Sequence, residues 1–321
     1  MKIRNLLAAV AVGGMTLSCS SAAGVEIDIT GSGKSNIIYV ITPSHSNPFF
    51  RTEARVAANT AKELGYEVKV FSHDDNLIKQ SELFEAAIAD KAAAIICDNA
   101  GAEGTAPAVK RAFDNGVPTF LIDREINETN LAVSQISANN YQGAKAVAEY
   151  FVKEMDGEGE YAELFGLESD VNAKIRSTAF HEVIDKHPKL RRVTMQVAKW
   201  DQNLAYQKTE RILSSYPNLK GIISGNDSMA VGAAEAVIAS GKTGIKIIGI
   251  DGSNDAVKYI RSGKLTATAL QPVVEMATQA VYQADEYIKN GSTGKSEKQQ
   301  VDCTVINRSN ADYVNDFLLA E

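Results

Sequence analysis

Ten polar or aromatic residues lie at or near the ends of apolar runs, and their types suit the recognition of a small hydroxylated molecule. Arginine donates hydrogen bonds, aspartate accepts them, and asparagine and glutamine do both, so the set can pair with many hydroxyl groups. Aromatic rings pack on the C–H faces of such ligands. Each residue alone fits a helix cap or a core position, but together they predict a ligand site. They are Asn47, Phe49, Phe50, Asp123, Arg124, Arg176, Trp200, Asn226, Asp251 and Gln271.

Short apolar runs alternate with amphipathic stretches from Ile37 onward, which predicts strands alternating with helices. Residues 37–41 indicate a strand, 49–64 a helix that ends at Gly65, and 107–115 a further helix. Strands that are apolar on both faces form parallel sheets with helices on both sides. The number of elements and the length of 321 residues predict an α/β fold with two doubly wound domains. Ligands bind beyond the carboxyl ends of such strands.

Composition argues against several classes of function. The 33 Lys and Arg residues against 40 Asp and Glu give a net charge of −7, unlike the basic surface of nucleic-acid-binding proteins.

The sequence has no GxSxG, HExxH or CxxC motif and no calcium-binding loop, so no enzyme, metal or cofactor is predicted. Asp123 and Asp251 could form an acid–base pair, but neighbouring arginines favour ion-paired ligand anchors. Residues 31–35 resemble a phosphate-binding loop, but they precede the first strand and lack its first glycine, since Asp28 stands there.

The N-terminus has the features of a bacterial export signal. Lys2 and Arg4 precede an apolar run at 6–12 that is too short to span a membrane. Thr16-Leu17-Ser18-Cys19 resembles a lipobox, although Thr16 replaces its usual aliphatic residue, and this predicts cleavage after residue 18 with a lipid on Cys19. Ser21-Ala22-Ala23 offers an ordinary cleavage site instead. We favour the lipoprotein, with signal 1–18 and a flexible tether over 19–35.

Three cysteines occur in the chain. Lipidation of Cys19 leaves Cys97 and Cys303, which an oxidising compartment could join in a disulfide. Two separate buried thiols are equally compatible with the sequence, so both alternatives stay open.

Five short motifs resemble those of periplasmic sugar-binding proteins of the ribose-binding type, the soluble receptors of ABC importers. The resemblance runs from about residue 36 to the C-terminus, and the motifs together are more specific than any one of them. They are Asn47-Pro48-Phe49-Phe50, Asp123-Arg124, residues 225–233 (GNDSMAVGA), Gly249-Ile250-Asp251-Gly252 and Ala267-Thr268-Ala269-Leu270-Gln271.

The resemblance implies that the ten residues named at the outset contact a sugar. Trp200 stands where ribose-binding proteins have phenylalanine, which keeps an aromatic plate but enlarges it. The resemblance also implies three crossovers near 138–139, 271–272 and 302–303, and therefore a type I fold whose domains are joined by a three-strand hinge. The N-terminal domain would comprise 36–138 and 272–302, and the C-terminal domain 139–271 and 303–321.

The function implied is that of an exported receptor that binds a small sugar or polyol, closes on it and delivers it to the membrane subunits of an ABC importer. A pentose such as ribose is favoured. A linear polyol such as erythritol or xylitol, a furanosyl signalling molecule, and a sensor that feeds chemotaxis or signalling are the alternatives. A sugar repressor of the same fold would need an N-terminal DNA-binding domain where this chain has its export signal. We expect a monomer in the periplasm or at the cell surface, anchored by lipid through Cys19.

Overall fold

The computed structural model describes residues 35–320 of the chain. Within this range the first strand, Ile37–Thr42, has five consecutive buried residues, and Ala94–Cys97 and Thr119–Ile122 are buried along their whole length. Side chains therefore face an apolar interior on both sides of the sheet, as they do where helices cover both faces.

The strands and helices alternate along the chain as the apolar pattern predicts. The strands are β1 (Ile37–Thr42), β2 (Glu67–Ser72), β3 (Ala94–Cys97), β4 (Thr119–Ile122), β5 (Ser134–Ala138), β6 (Gly159–Phe165), β7 (Leu190–Val197), β8 (Leu219–Ser224), β9 (Lys246–Asp251), β10 (Ala267–Leu270), β11 (Lys298–Val301), β12 (Thr304–Asn307), β13 (Val314–Asn315) and β14 (Leu318–Leu319). The helices are α1 (Pro48–Glu63), α2 (Leu77–Ala89), α3 (Ala102–Asp114), α4 (Asn140–Glu154), α5 (Val171–Ile184), α6 (Gln202–Ser215), α7 (Asp227–Ala239), α8 (Asn254–Arg261) and α9 (Val273–Asn290).

Two six-stranded sheets organise these elements into two lobes. The first sheet has the order β11-β5-β4-β3-β1-β2, and all of its strands are parallel. The second has the order β12-β10-β9-β8-β6-β7, in which only β12 runs antiparallel to its neighbour. We call the first sheet with α1, α2, α3 and α9 the first lobe, and the second sheet with α4 to α8 the second lobe. The predicted α/β fold with two parallel-sheet domains is confirmed.

The chain passes between the lobes three times. It leaves the first sheet after β5 and enters α4, which packs on β9 and β10 of the second sheet. It returns after β10 into α9, which packs on α1. It crosses again between β11 and β12, over Asp302 and Cys303. Three adjacent connections of this kind form a hinge.

Polar residues at strand ends begin the helices that follow. Asn47, Asp170 and Asn226 are the N-caps of α1, α5 and α7, and each side-chain oxygen accepts a backbone N–H of the first helical turn. Such caps satisfy donors that have no partner within the helix. The same three residues consequently stand at the carboxyl edge of their sheets, where a ligand would bind.

One predicted helix start is wrong. The sequence pattern placed the start of α3 at Pro107, because proline favours the first helical turn. The helix instead begins at Ala102, and Pro107 lies in its second turn. Burial of Ala102, Thr105 and Ala106 against the sheet outweighs the local preference of proline.

None of the helices among residues 35–320 combines the length and the apolar character that crossing a membrane requires.

Candidate functional site

A small cavity lies between the carboxyl ends of the two sheets, and ten side chains from both lobes enclose it. Nine of the ten predicted site residues form its wall, and Arg124 does not. The wall consists of Asn47, Phe49, Phe50, Asp123, Asp170, Arg176, Trp200, Asn226, Asp251 and Gln271.

The start of α1 supplies one amide and two rings. The Asn47 Oδ1 accepts the N–H of Phe49 at 3.0 Å, while its Nδ2 is buried without a partner. Pro48 at the first helical position has no N–H to satisfy and therefore suits this start. The rings of Phe49 and Phe50 meet edge to face with centroids 5.6 Å apart. This segment offers the cavity a hydrogen-bond donor beside an apolar surface.

Trp200 forms an aromatic wall from the second lobe. Its indole lies directly over Gly166 and Gly225, which follow β6 and β8: a Cβ added at these positions would come within 1.9 Å and 2.9 Å of ring atoms. The indole Nε1–H donates to Asp170 Oδ2 at 3.1 Å. The backbone of Trp200 has a φ of 64°, a conformation that bulky residues adopt only where their surroundings enforce it. The position of the ring is therefore tightly determined.

Arg176 of α5 is the buried cation of the site. Its Nε donates to Asn140 Oδ1 at 2.7 Å, its Nη1 donates to the Gly225 carbonyl at 2.9 Å, and the Nη1 lies 3.8 Å from Asp251 Oδ1. Its guanidinium carbon is 5.5 Å from the Trp200 ring, in a cation–π contact. These contacts hold the guanidinium rigidly at the cavity wall.

Two aspartates of the wall lie in strongly desolvated positions. Burial raises the pKa of Asp123 to about 6, and its Oδ1 has no partner. Burial, and next the charge of Asp227, raise the pKa of Asp251, whose Oδ1 accepts a hydrogen bond from Gln271 Nε2 at 2.8 Å. Burial disfavours the charged carboxylate, so a hydroxyl donor that stabilises it would bind well at either position.

Gln271 and Asn226 complete the wall at the second lobe. Because Gln271 donates through Nε2 to Asp251, its Oε1 stays buried and unpartnered. Asn226 Oδ1 accepts the N–H of Met229 as the cap of α7. Gln271 stands at the second crossover, directly after β10.

Arg124 lies outside the cavity wall, and its guanidinium pairs with carboxylates of the protein while its Nη2 is buried without a hydrogen-bond partner. Its side chain is 1% exposed and pairs with Asp75 (2.7 Å), Asp98 (3.4 Å) and Asp170 (2.8 Å). Its guanidinium carbon is 5.0 Å from the ring of Phe50. Arg124 thus supports the aromatic surface and joins several elements, and its contact with a ligand stays a prediction.

Asp170 is the wall residue that the sequence analysis missed. It lies in the loop after β6, beyond the strand end itself, and it is one of several capping residues in the chain. The signal that could have found it is its position at the start of the same helix that carries Arg176.

Two further carboxyl groups lie behind Asp123. Glu53 of α1 and Asp98 after β3 are fully buried, and their side chains are close neighbours. Burial raises the pKa of both groups. Among residues 35–320, no group of three or more His, Cys, Asp or Glu side chains is arranged to hold a metal ion.

The two described cysteines are free and buried. Cys97 ends β3 in the first sheet, and Cys303 lies at the third crossover, so the disulfide that the cysteine count allowed is not formed in this structure. Cys19, the export signal 1–18 and the tether 19–35 fall outside the described residues, except for residue 35.

Residues 38–293 match the family described as periplasmic binding protein domain. The chain belongs to this periplasmic binding protein family. Membership confirms the resemblance drawn from the sequence, and it confirms a substrate-binding component of an importer in place of an enzyme. It also agrees with export to the periplasm.

Similar proteins within the family bind different sugars. The D-apiose import binding protein of Actinobacillus succinogenes is 51% identical over 290 residues, which cover 89% of this chain and 92% of the relative. The ribose import binding protein of Haemophilus influenzae is 28% identical over 273 residues, 85% of this chain and 92% of the relative. A solved periplasmic solute binding protein of A. succinogenes with bound D-allose is 25% identical, with a TM-score of 0.81 over 86% of this chain and 99% of that one.

Proposed function

We propose that this periplasmic binding protein is the sugar receptor of an ABC importer and that its ligand is a pentose, D-apiose in preference to D-ribose. The observation that carries the proposal is the set of buried polar atoms that lack partners at the cavity wall. Asn47 Nδ2 is a free donor, and Asp123 Oδ1 and Gln271 Oε1 are free acceptors. A buried polar group without a partner costs about 1–3 kcal/mol, and hydroxyl groups of a sugar supply the missing partners.

The aromatic side chains suit the less polar faces of the same ligand. Phe49 and Phe50 stand on the first lobe and Trp200 on the second, so a sugar ring between them would pack on aromatic surface from both sides. The small, enclosed cavity favours a small ligand such as a monosaccharide.

The comparisons change which pentose is favoured. The sequence motifs favoured ribose, but the D-apiose import binding protein is 51% identical to this chain and the ribose import binding protein only 28%. D-Apiose and D-ribose have the same number of carbon and oxygen atoms, so cavity size does not separate them. The difference must come from how the wall positions its donors and rings.

Binding would draw the lobes together. We take residues 36–138 with 272–302 as one moving domain and 139–271 with 303–321 as the other. Because the wall draws side chains from both, a ligand makes its full set of contacts only when the cleft is closed, and it shifts the protein toward that form. The closed monomer then presents its ligand to the importer's membrane subunits.

Anchoring at the membrane is a separate part of the proposal. It rests on the sequence of residues 1–35 alone, with signal 1–18 removed and lipid attached to Cys19. Expression of the full chain with Cys19→Ser should move the protein from the membrane fraction to the soluble periplasmic fraction. An unchanged distribution would contradict the lipid anchor and would leave the sugar site untouched.

A fluorescence titration tests the ligand. Trp200 is the only tryptophan of the chain, so the intrinsic tryptophan emission reports on the cavity wall. We expect D-apiose to change this emission at the lowest concentration in a panel with D-ribose, D-allose, myo-inositol, erythritol and xylitol. Calorimetry on the same samples gives the affinities.

Two variants control this titration. Asp123→Asn should weaken binding at least tenfold, because it removes a buried acceptor while asparagine tolerates the φ of 59° at this position. Asp74→Asn changes an exposed aspartate with a similar φ of 52° and should bind as the wild type does. Absence of binding to every compound would overturn the proposal, and preference for erythritol or xylitol would replace the pentose with a polyol.

A further inference from the structure

Asp170 lies at the point where the two lobes meet. Its Oδ1 accepts the N–H of Asn172 at 2.8 Å as the cap of α5, and its Oδ2 accepts the Trp200 Nε1–H at 3.1 Å. The same Oδ2 lies 2.8 Å from Arg124 Nε. Asp170 and Trp200 belong to the second lobe, whereas Arg124 follows β4 of the first lobe. A single carboxylate therefore connects a cation of one lobe to the aromatic wall of the other.

Neighbouring contacts show that this connection crosses the cleft. The Asn172 side chain donates to the Asp123 carbonyl at 3.2 Å. A Cβ added to Gly101 of the first lobe would lie 3.3 Å from the Cβ of Ser169, so the two backbones are close here. Residues 169–172 thus touch the first lobe at three places, and Arg124–Asp170 is the charged pair among them.

Within residues 35–320, Asp170 is the hydrogen-bond acceptor of the Trp200 indole N–H. Trp200 is 6% exposed, and a buried indole N–H needs an acceptor. Gly166 and Gly225 make room for the benzene edge of the indole, at Cζ2, Cη2 and Cζ3, whereas Asp170 holds the opposite side through the N–H. Asp170 therefore helps to fix the orientation in which the indole lines the cavity.

We propose that Asp170 is the positioning residue through which this site selects its sugar: it bridges the Arg124 guanidinium and the Trp200 indole N–H, and so fixes the aromatic wall in the closed cleft. This inference rests on the proposed function. When the lobes separate, the pair with Arg124 breaks while the bond to Trp200 stays within the second lobe. In the closed form, Arg124 and Trp200 therefore both hold the Asp170 carboxylate, and the indole is restricted to a single orientation.

Two variants of Asp170 separate its two partners. Asp170→Asn keeps one oxygen that can accept the Trp200 N–H, but it removes the charge that pairs with Arg124, and its amide nitrogen then faces the Asn172 N–H, so the cap of α5 is lost as well. We expect it to weaken D-apiose binding about tenfold and to keep the preference for D-apiose over D-ribose. Asp170→Ala also leaves the indole N–H without an acceptor. We expect it to weaken binding about a hundredfold and to reduce the preference to within a fewfold.

A matched control accounts for the loss of a helix cap. Asp201 caps α6 in the same lobe, with its Oδ1 accepting the N–H of Leu204, and its side chain lies outside the cavity wall. Asp201→Ala removes a cap alone, so it should lower the thermal midpoint less than Asp170→Ala, which also leaves Arg124 and the Trp200 N–H without their Asp170 partner, and it should leave sugar affinity and preference unchanged. Equal losses of binding in both variants would reduce Asp170 to a helix cap and overturn the inference.

A double-mutant cycle tests the bond to the indole directly. Trp200→Phe keeps an aromatic ring and removes the N–H, so Asp170→Ala should cost much less sugar affinity in that background than in the wild type. Calorimetry measures these variants, because Trp200→Phe has no tryptophan emission. In the ligand-free protein, Asp170→Ala should also shift the Trp200 emission maximum, and Asp170→Asn should not. Additive effects in the cycle would overturn the inference.

The outcomes distinguish this inference from the proposed function. If the wild type binds a sugar and Asp170→Ala binds it with the same affinity and preference, the role of Asp170 is overturned but the proposed receptor function stands. Failure of the wild type to bind any sugar overturns both.

Discussion

At the cavity wall, single side chains divide their polar atoms between the fold and the cavity. Asn47 uses Oδ1 to cap α1 and leaves Nδ2 free, and Gln271 uses Nε2 to hold Asp251 and leaves Oε1 free. Each committed atom fixes the rotamer of its side chain, so the free atom is already aimed before a ligand arrives. Such preorganisation lowers the entropic cost of binding.

Replacing Asn47 by aspartate should separate its two functions. In Asn47→Asp the new carboxylate can still cap α1, since aspartate and asparagine are equally good caps, but it offers the cavity no donor. We expect sugar affinity to fall about ten- to hundredfold, with the thermal midpoint of the ligand-free protein nearly unchanged. Asn76→Asp, at the cap of α2, is the matched control and should bind normally. Wild-type affinity in Asn47→Asp would show that the free Nδ2 contributes nothing to the ligand.

His73 gives the protein a distinct sensitivity to acid. Its Nε2 donates to the Asp98 carbonyl and its Nδ1 accepts the N–H of Asp75, so the ring is bound in its neutral form. Burial, with a contribution from Arg124, lowers the pKa of His73 from 6.5 to about 4. Between these pH values the unfolded chain binds the proton and the folded chain does not, so this group's contribution to stability is lost as the pH falls.

The contribution of His73 should lower the free energy of unfolding by about 3 kcal/mol between pH 6.5 and pH 4. Urea unfolding of the wild type and of His73→Asn at several pH values measures it, since asparagine can accept the Asp75 N–H but does not titrate. The difference in unfolding free energy between the two proteins should shrink as the pH falls. Buried carboxyl groups such as Asp123 act in the opposite direction, because their raised pKa favours the folded state in acid. They are present in both proteins, so their effect cancels when the unfolding free energy of His73→Asn is subtracted from that of the wild type. A constant difference would contradict the assignment to His73.

Among the wall residues, those that the sequence identified share one property: each stands at the end of a strand or in the first turns of the next helix. That position is visible in the pattern of apolar runs. The ion pairs of Arg124 were not visible, because its partners Asp75, Asp98 and Asp170 lie on three separate segments that only the folded chain brings together.

At the scale of elements, α6 and α7 of the second lobe pack tightly against each other, and Gly232 permits it. A Cβ at Gly232 would lie 2.2 Å from the carbonyl oxygen of Gln202, a backbone atom that cannot rotate away. In α3 of the first lobe, a Cβ at Gly104 would instead meet the terminal methyl groups of Leu77, 39% exposed, at 2.5 Å. The same substitution therefore meets a rigid obstacle in one helix and a movable one in the other.

Gly232→Ala and Gly104→Ala should change stability in opposite directions. We expect Gly232→Ala to cost at least about 2 kcal/mol, because α7 must move away from α6. Gly104→Ala should gain up to about 1 kcal/mol, since alanine is the better helix former and Leu77 can rotate. Urea midpoints of the ligand-free proteins measure both, and a stabilised Gly232→Ala would contradict the close contact.

One of the strands that the sequence analysis overlooked is β5. Its residues, Ser134-Gln135-Ile136-Ser137-Ala138, are mostly polar, yet all five are buried. Gln135 explains how: its Oε1 accepts the N–H of Ile126, and its Nε2 donates to Glu297 at 2.8 Å. The partner strand β11 lies far along the chain, after α9, so no local pattern could show that this segment lies between two strands.

At the scale of the whole molecule, the second lobe holds the third crossover firmly. Gln142 of α4 accepts the N–H of Cys303 and donates to its carbonyl, at 2.9 Å and 3.1 Å. The absence of a side chain at Gly143 makes room for the Cys303 thiol, since a Cβ there would lie 2.8 Å from Sγ. In the proposed closure, the lobes would then rotate on the other side of Cys303, toward Asp302 and β11.

The C-terminal hairpin forms a second bridge across the cleft. It is carried by the second lobe, where Arg261 of α8 donates to the carbonyls of Ala311 and Val314. Its turn reaches the first lobe: the ring of Phe317 meets that of Phe49 with centroids 5.9 Å apart. Phe317 has a φ of 61°, which costs about 1–2 kcal/mol for a bulky residue, so its contact with the cavity wall compensates for strain in the turn.

Removing the Phe317 ring should let the cleft open more readily. Phe317→Asn keeps the turn, because asparagine tolerates the left-handed conformation, and it deletes the contact with Phe49. We expect sugar dissociation to accelerate about tenfold with little change in association, as measured by stopped-flow fluorescence of Trp200. Asp316→Asn breaks only the exposed ion pair with Arg55, which is worth at most about 1 kcal/mol, and should dissociate nearly as the wild type does. Equal dissociation rates in Phe317→Asn and the wild type would mean that the hairpin does not restrain the lobes.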